Sequence, residues 1–389
     1  MTPLLSIIFL FIVAYTGSFL YQKYHLASTW LMAPLYSGSL NLVIGYVIGP
    51  ESFGLLSGEI IGKLYVLVGL VLGWAGFLIG LQAKSSELKR FQNSYFFYSG
   101  LNFLLMLLGM IAVISILNII LDLTLGILMI ILTAILGTVS SPILIGLIKQ
   151  YLKLRGPLIH LLQFSVALDN MIGVIIFGLS MLLINQSLFK DLHILFIIFG
   201  LLIFSIFMAW LFSRISRRID DPQQFFLVLI GFLLVLVGFS INLNLSVLLI
   251  SFLFGVVLTN LPIDTRKLYQ SIAGAEKPLY YLMMVFIGAS ISSISLEILG
   301  LALLMVILRV LMKYFSGYMS RLPLVSAERP DSRIGIPHIG MGGIALAMVL
   351  DFHISAMNLF SQNLLFIISV MTITNALLST MVFKSLKNR

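Results

Sequence analysis

Long apolar runs alternate with short polar connections along nearly the whole chain. Thirteen apolar segments can be drawn, at about 3–21, 29–48, 62–81, 94–119, 124–149, 157–185, 191–213, 224–241, 245–261, 276–293, 296–319, 336–351 and 362–384. Most are long enough to cross a hydrocarbon layer about 30 Å thick as a helix rising 1.5 Å per residue. Two divisions rest on brief polar breaks, Asn242 to Asn244 and Ser292 to Ser295. The segment Leu4–Leu20 has no basic region before it and no small-residue cleavage site after it, so it reads as a first membrane helix rather than a signal peptide.

Composition agrees with this pattern. Of 389 residues, 60% are hydrophobic and 10% charged, whereas a soluble domain carries roughly a quarter charged residues. The expected class is an all-α polytopic membrane protein of about thirteen transmembrane helices. No polar stretch is long enough for a soluble domain. Cysteine is absent, which excludes a disulfide framework, a thiolate metal site and a redox pair. The net charge of +9 would suit nucleic acid, but the basic residues sit in short loops between spans. Counting loops, one side carries Lys23, then Lys84, Lys89 and Arg90, then Lys149, Lys153 and Arg155. It continues with Arg214, Arg217 and Arg218, with Arg266, Lys267 and Lys277, and with Arg321, Arg329 and Arg333. The opposite side has Lys63 and Lys190. Lysine and arginine bias sets orientation, so the N-terminus is expected outside and the C-terminus, with Lys384, Lys387 and Arg389, in the cytoplasm. No nucleic-acid partner is expected.

An odd number of spans permits two six-helix halves, inverted relative to each other and joined by a linker helix. The first repeat is expected over residues 1–190 (spans 1–6), the linker over 191–220 (span 7) and the second repeat over 221–389 (spans 8–13). The fifth span is interrupted by Gly137-Thr138-Val139-Ser140-Ser141-Pro142, and the twelfth opens with Gly335-Ile336-Pro337-His338-Ile339-Gly340-Met341-Gly342-Gly343. These positions correspond between the halves. Paired interruptions of this kind point to a substrate site near the membrane midplane, although Gly and Pro also make ordinary kinks and close packing in membrane helices.

Asp169 lies near the middle of the sixth span, in Phe164-Ser165-Val166-Ala167-Leu168-Asp169-Asn170-Met171-Ile172-Gly173. A carboxylate at that depth is costly and faces a protein interior or a wet cavity. The other acids fall in loops or near interfaces, Glu51, Glu59, Glu297 and Asp351 among the latter. Arg309 and Lys313, four residues apart in the eleventh span, share a helix face, and one of them is expected to pair with Asp169. That pair is either a static bridge between helices or one that opens and closes as cations and protons come and go. Thr138, Ser140 and Ser141 at the break offer oxygen ligands suited to a monovalent cation, or merely satisfy loosened backbone groups. Thr372, Thr374 and Asn375 suit helix–helix hydrogen bonding. His338 is either titratable or structural. No zinc cluster, nucleophile elbow or phosphate loop is visible, so no enzyme activity and no cofactor are expected.

Several stretches, in order, resemble the monovalent cation/proton antiporter (CPA) superfamily, with its sodium/proton exchanger-like membrane domain. Gly45-Tyr46-Val47-Ile48-Gly49-Pro50 resembles an early glycine-proline span end, and Gly80-Leu81 with Leu88-Lys89-Arg90 the segment after the third span. Ser140-Ser141-Pro142 resembles the broken-helix Thr-Ser-Pro. Asp169-Asn170 stands where the family has Asp-Asp or Asn-Asp. Pro278 with Phe286-Ile287-Gly288-Ala289, Arg309 to Tyr314 and Gly340 to Leu346 resemble later segments.

The resemblance implies an elevator-type transporter. A core of spans 4–6 and 11–13 would slide against a dimerisation domain of spans 1–3 and 8–10, making a homodimer in the lipid bilayer, with a bacterial inner (plasma) membrane the expected location. Two broken helices would cross beside the acidic site, and Lys313 would pair with Asp169. The expected function is exchange of H⁺ for Na⁺, or K⁺ or Li⁺, with Asp169, Asn170, Thr138, Ser140 and Ser141 at the cation and proton site and Lys313 and Arg309 as charge partners. The order Asp-Asn departs from the family, whose second residue is the ion-binding Asp. Asn170 offers a carbonyl oxygen but no titratable proton. The alternative is the same fold without proton coupling: a passive cation pathway, a different substrate or a sensor.

Overall fold

The computed structural model describes residues 37–151, 156–185, 194–291, 295–324, 334–356 and 359–387. Among them every regular element is helical. Each predicted segment from the second to the thirteenth contains a helix or a broken helix; the first segment lies outside the described residues, as does the beginning of the second.

The first described helices are α1 (Ser39–Ile48), α2 (Gly58–Lys63), α3 (Tyr65–Leu81), α4 (Ser85–Leu88) and α5 (Asn93–Ile120). The fifth predicted span is split into α6 (Ile127–Thr138) and α7 (Pro142–Tyr151). Then come α8 (Pro157–Ile184), α9 (Ile194–Ser216), α10 (Pro222–Asn242), α11 (Val247–Asn260), α12 (Thr265–Ile272), α13 (Glu276–Ala289) and α14 (Leu296–Arg321). The chain closes with a 3₁₀ turn (Ile336–Ile339), α15 (Gly343–Ala356) and α16 (Leu359–Lys387). Among the described residues, eight helical segments, counting α6 with the start of α7 and the 3₁₀ turn with α15, are long and apolar enough to cross a membrane; α1, α3 and α11 are shorter apolar helices. The short α2, α4 and α12 fall in or beside predicted connections.

Local chemistry explains the punctuation. Asn244, in the left-handed region at φ 50°, turns the chain between α10 and α11, and Ser246 caps α11 by accepting from the Leu249 amide at 3.1 Å. Asp221 and Ser295 cap α10 and α14 in the same way. Pro142 opens α7 just after the extended Val139, a position where its missing N–H costs nothing.

Two helix pairs approach very closely through small residues. Gly45 of α1 and Gly49, which follows its last residue, lie against the backbone of Val285 and Ala289 in α13. Gly76 and Gly80 of α3 lie against the backbone of Leu248 and Phe252 in α11. In both cases the glycines are four apart, the spacing that lets helix backbones touch in a membrane. A methyl group at any of the four would meet main chain. Aromatic side chains seal the next layer: Phe212 of α9 packs edge-on against Phe225 and Phe232 of α10, and Phe254 of α11 joins them. On the other side of the molecule α5, α6 and α8 pack together, and α14 packs on α5 and α16. The 3₁₀ turn and its neighbours thread between α14, α16 and α7.

Candidate functional site

The two interrupted helices meet at their breaks. The Ser141 amide donates to the Gly340 carbonyl at 2.9 Å, and the Ser140 hydroxyl donates to the His338 carbonyl at 3.3 Å. Gly342 has no room for a side chain, since a Cβ there would lie 2.8 Å from Ser141. The glycine and serine pattern of both breaks is thus what allows the two extended stretches to lie side by side.

Helix α14 supplies two buried cations to this crossing. Arg309 donates through Nε to the Gly137 carbonyl at 2.8 Å and through Nη2 to the Val139 carbonyl at 2.9 Å, and Nη1 donates to the Ile339 carbonyl. The planar guanidinium therefore joins the end of α6 to the 3₁₀ turn, and its charge faces the negative pole of α6. Arg309 makes no ion pair among the described residues: expected as a charge partner, it is bound by carbonyls instead. Lys313, one turn on, donates to the Thr138 carbonyl at 2.6 Å and to the Ser140 hydroxyl at 2.8 Å. Two of its three N–H donors are so occupied.

Asp169 projects from the middle of α8 towards the same place. Its side chain is fully buried, with Oδ2 3.7 Å from Lys313 Nζ and 3.9 Å from His338 Nδ1. Neither carboxylate oxygen has a hydrogen-bond partner among the described residues, and the same holds for the amide of the buried Asn170. At this separation the Asp169–Lys313 attraction is about 4 kcal/mol at an effective dielectric of 20. Of the two cations expected near the carboxylate, Lys313 is the one in ion-pair range.

The hydroxyls at the break are already engaged. Thr138 Oγ1 donates to the Ala134 carbonyl at 2.9 Å, and Ser141 Oγ accepts from the Leu144 amide at 3.3 Å, capping α7. Ser140 is bonded both to Lys313 and to His338. Asp169, Ser140, Thr138 and Lys313 are thus brought together, while Ser141 serves the crossing itself. In α16, Thr372 and Thr374 bond to carbonyls of their own helix, at 2.8 and 2.7 Å, and the buried Asn375 amide has no partner among the described residues.

Two features escape a reading of the chain alone. His338, a solitary histidine by sequence, is buried beside Asp169 with both ring nitrogens unpartnered among the described residues. Asp351, placed by sequence near an interface, is as buried as Asp169. It accepts from the Ser246 hydroxyl at 2.6 Å and from the Val247 and Leu248 amides, both at 3.3 Å, at the N-terminus of α11. The Ser-Val-Leu start of α11 gives no sequence signal that a carboxylate from a distant helix completes it.

Comparison with known proteins bears on the family and the fold. The family model described as "Sodium/hydrogen exchanger, transmembrane" matches residues 7–387. No curated protein matches the chain. Among solved structures, the chain is similar to the sodium proton antiporter MjNhaP1 from Methanocaldococcus jannaschii at pH 8, with TM-score 0.68 and 17% identity, covering 99% of this chain and 97% of that one. An electron-microscopy structure of the same antiporter gives TM-score 0.63 and 15% identity, covering 99% and 96%. At such identities the structural likeness speaks for the fold, and the family model for membership. The chain belongs to the sodium/hydrogen exchanger family, whose members are membrane cation/proton exchangers and not enzymes.

Proposed function

We propose that the chain exchanges Na⁺ for H⁺ at Asp169. The observation that carries this reading is a fully buried carboxylate, neither oxygen of which has a hydrogen-bond partner among the described residues, beside the crossing of two broken helices. A proton or a monovalent cation neutralises that carboxylate in turn, and Lys313 meets its charge when neither is bound. Asn170 supplies a neutral oxygen to the cation, and the Ser140 and Thr138 oxygens close the site. With one titratable carboxylate at the crossing among the described residues, exchange is one for one and electroneutral. Sodium is favoured over potassium or lithium by the family description alone.

The packing supports a sliding movement. Helices α5–α8 and α14–α16 form the element that carries Asp169, and α1–α3 with α10–α13 form a scaffold built on the glycine contacts and carrying a dimer interface; α9 links the two inverted repeats. Alternation between the membrane faces is a slide of the first group along the second, with the N-terminus outside and the C-terminus in the cytoplasm of a bacterial inner membrane.

Proteoliposomes containing a pH-sensitive dye test the reading. Imposed Na⁺ or K⁺ gradients should move protons in the parent protein and not in Asp169→Asn. Folded parent protein that moves no protons would remove it.

The hold of Lys313 on Thr138 and Ser140 favours one other reading, in which Asp169 and Lys313 are a fixed bridge and Asn170 has removed proton coupling. Asn170→Asp distinguishes the two. Proton-coupled exchange that appears only in this variant would favour the fixed bridge.

A further inference from the structure

A cavity of about 480 Å³ opens where α5, α6, α14 and α16 meet the connection 121–126. Leu117, Leu125, Met305, Leu364 and Ile368 form much of its apolar wall. Among the described residues, every one that lines it belongs to those four helices and that connection, and none to the scaffold group. The cavity therefore lies apart from the seam along which ions would enter. Its inner end touches Gly137, the residue whose carbonyl accepts from Arg309.

Two properties say what fits it. Its rim is apolar and exposed: the lining residues Leu121 and Leu123 are 46% and 39% accessible. Both lie in the short connection between two helices read as membrane spans, so the rim stands at the membrane face, at the depth of lipid headgroups. The mouth is also acidic. Glu297, exposed in the first turn of α14, is the one ionisable group in the lining and makes no ion pair among the described residues. Exposed Asp122 stands between two lining leucines, and Asn363 contributes an amide. Among the described residues no lysine or arginine lines the cavity.

We propose that this cavity binds a phospholipid with a primary-amine headgroup, of the ethanolamine type. One acyl chain lies along the apolar wall, and the ammonium sits on Glu297. The Asn363 amide donates to the phosphate. An anionic headgroup has no cation to meet there and is repelled by the two acids. A quaternary ammonium brings charge but no N–H donor, whereas a primary ammonium brings three.

The test uses the full chain, stripped of lipid and then exposed to phosphatidylethanolamine, phosphatidylcholine or phosphatidylglycerol, with retained lipid counted by native mass spectrometry. Ethanolamine lipid should be kept at least about tenfold better than choline lipid, as expected for one hydrogen bond to a charged group. Glu297→Gln, at an exposed position, should fold normally and lose that preference. Leu301→Trp should fill the cavity and reduce retention of all three, and its thermal unfolding would show whether it is folded. Equal retention of ethanolamine and choline lipid, a preference for the glycerol headgroup, or an unchanged preference in Glu297→Gln would each overturn the proposal. So would binding of a water-soluble alkylamine under conditions where the ethanolamine lipid is not retained.

Discussion

Lys313 stands 3.7 Å from the Asp169 carboxylate but 2.6 Å from the Thr138 carbonyl. The ammonium is thus held first by the broken helix and only loosely by the acid. A buried cation placed in this way can yield the carboxylate to another cation without itself losing all its partners.

Removing that ammonium should be costly. Lys313→Met leaves Asp169 without an opposite charge in ion-pair range and strips Thr138 and Ser140 of a donor. Breaking a buried pair from one side costs about 3–5 kcal/mol, so thermal unfolding in detergent should show a clear loss of stability. Lys313→Arg, which keeps charge and donors, should retain more of it.

Asp169→Asn removes charge and titration while keeping shape. We expect cation-dependent proton movement to fall to background, with the protein still folded, because Lys313 keeps its carbonyl and hydroxyl partners. Transport assays paired with unfolding curves would separate loss of exchange from loss of structure.

Competition between proton and cation for one carboxylate has a definite sign with pH. As pH falls below the titration range of that group, protons occupy it and the apparent KM for Na⁺ rises. The rise should approach about tenfold per pH unit, as for one proton linked to one site. Above that range KM should become independent of pH. Initial rates over a grid of pH and Na⁺ check both limits, and a KM independent of pH throughout would exclude competition at Asp169.

Arg309→Lys should not be a mild change. One guanidinium meets three carbonyls at Gly137, Val139 and Ile339, a fork that an ammonium cannot reproduce. At least one buried carbonyl would lose its donor, at about 1–3 kcal/mol each. Hydrogen exchange should show faster opening of both breaks.

Asp351→Ala tests the contact between α15 and α11. The carboxylate caps α11 from another helix, so its loss should cost about 1–2 kcal/mol, as for other N-caps. Because the two helices belong to the two groups proposed to slide, the exchange rate should change as well, with Asp351→Asn intermediate in both measurements.

Much of this protein can be read along the chain because membrane helices are signalled locally. Apolar length marks the spans, and Gly, Pro and Ser mark both breaks within a turn or two. Asp169 is conspicuous because a carboxylate in mid-span is expensive wherever the span packs. The four-residue interval from Arg309 to Lys313 likewise places both on one face before any partner is known. Their partners are another matter. Asp351 meets Ser246 across 105 positions, Arg309 meets Gly137 across 172, and Lys313 meets Ser140 across 173. His338 and Asp169, on different helices, come within 3.9 Å. Such distances are decided by how helices dock, and docking depends on the summed shape of many side chains rather than on the neighbours of any one. Sequence by itself determined the class, the helical character of the apolar segments, the breaks and the buried acid. Tertiary structure alone decided that one cation faces that acid, that the other binds carbonyls, and that a second carboxylate is buried at a helix end.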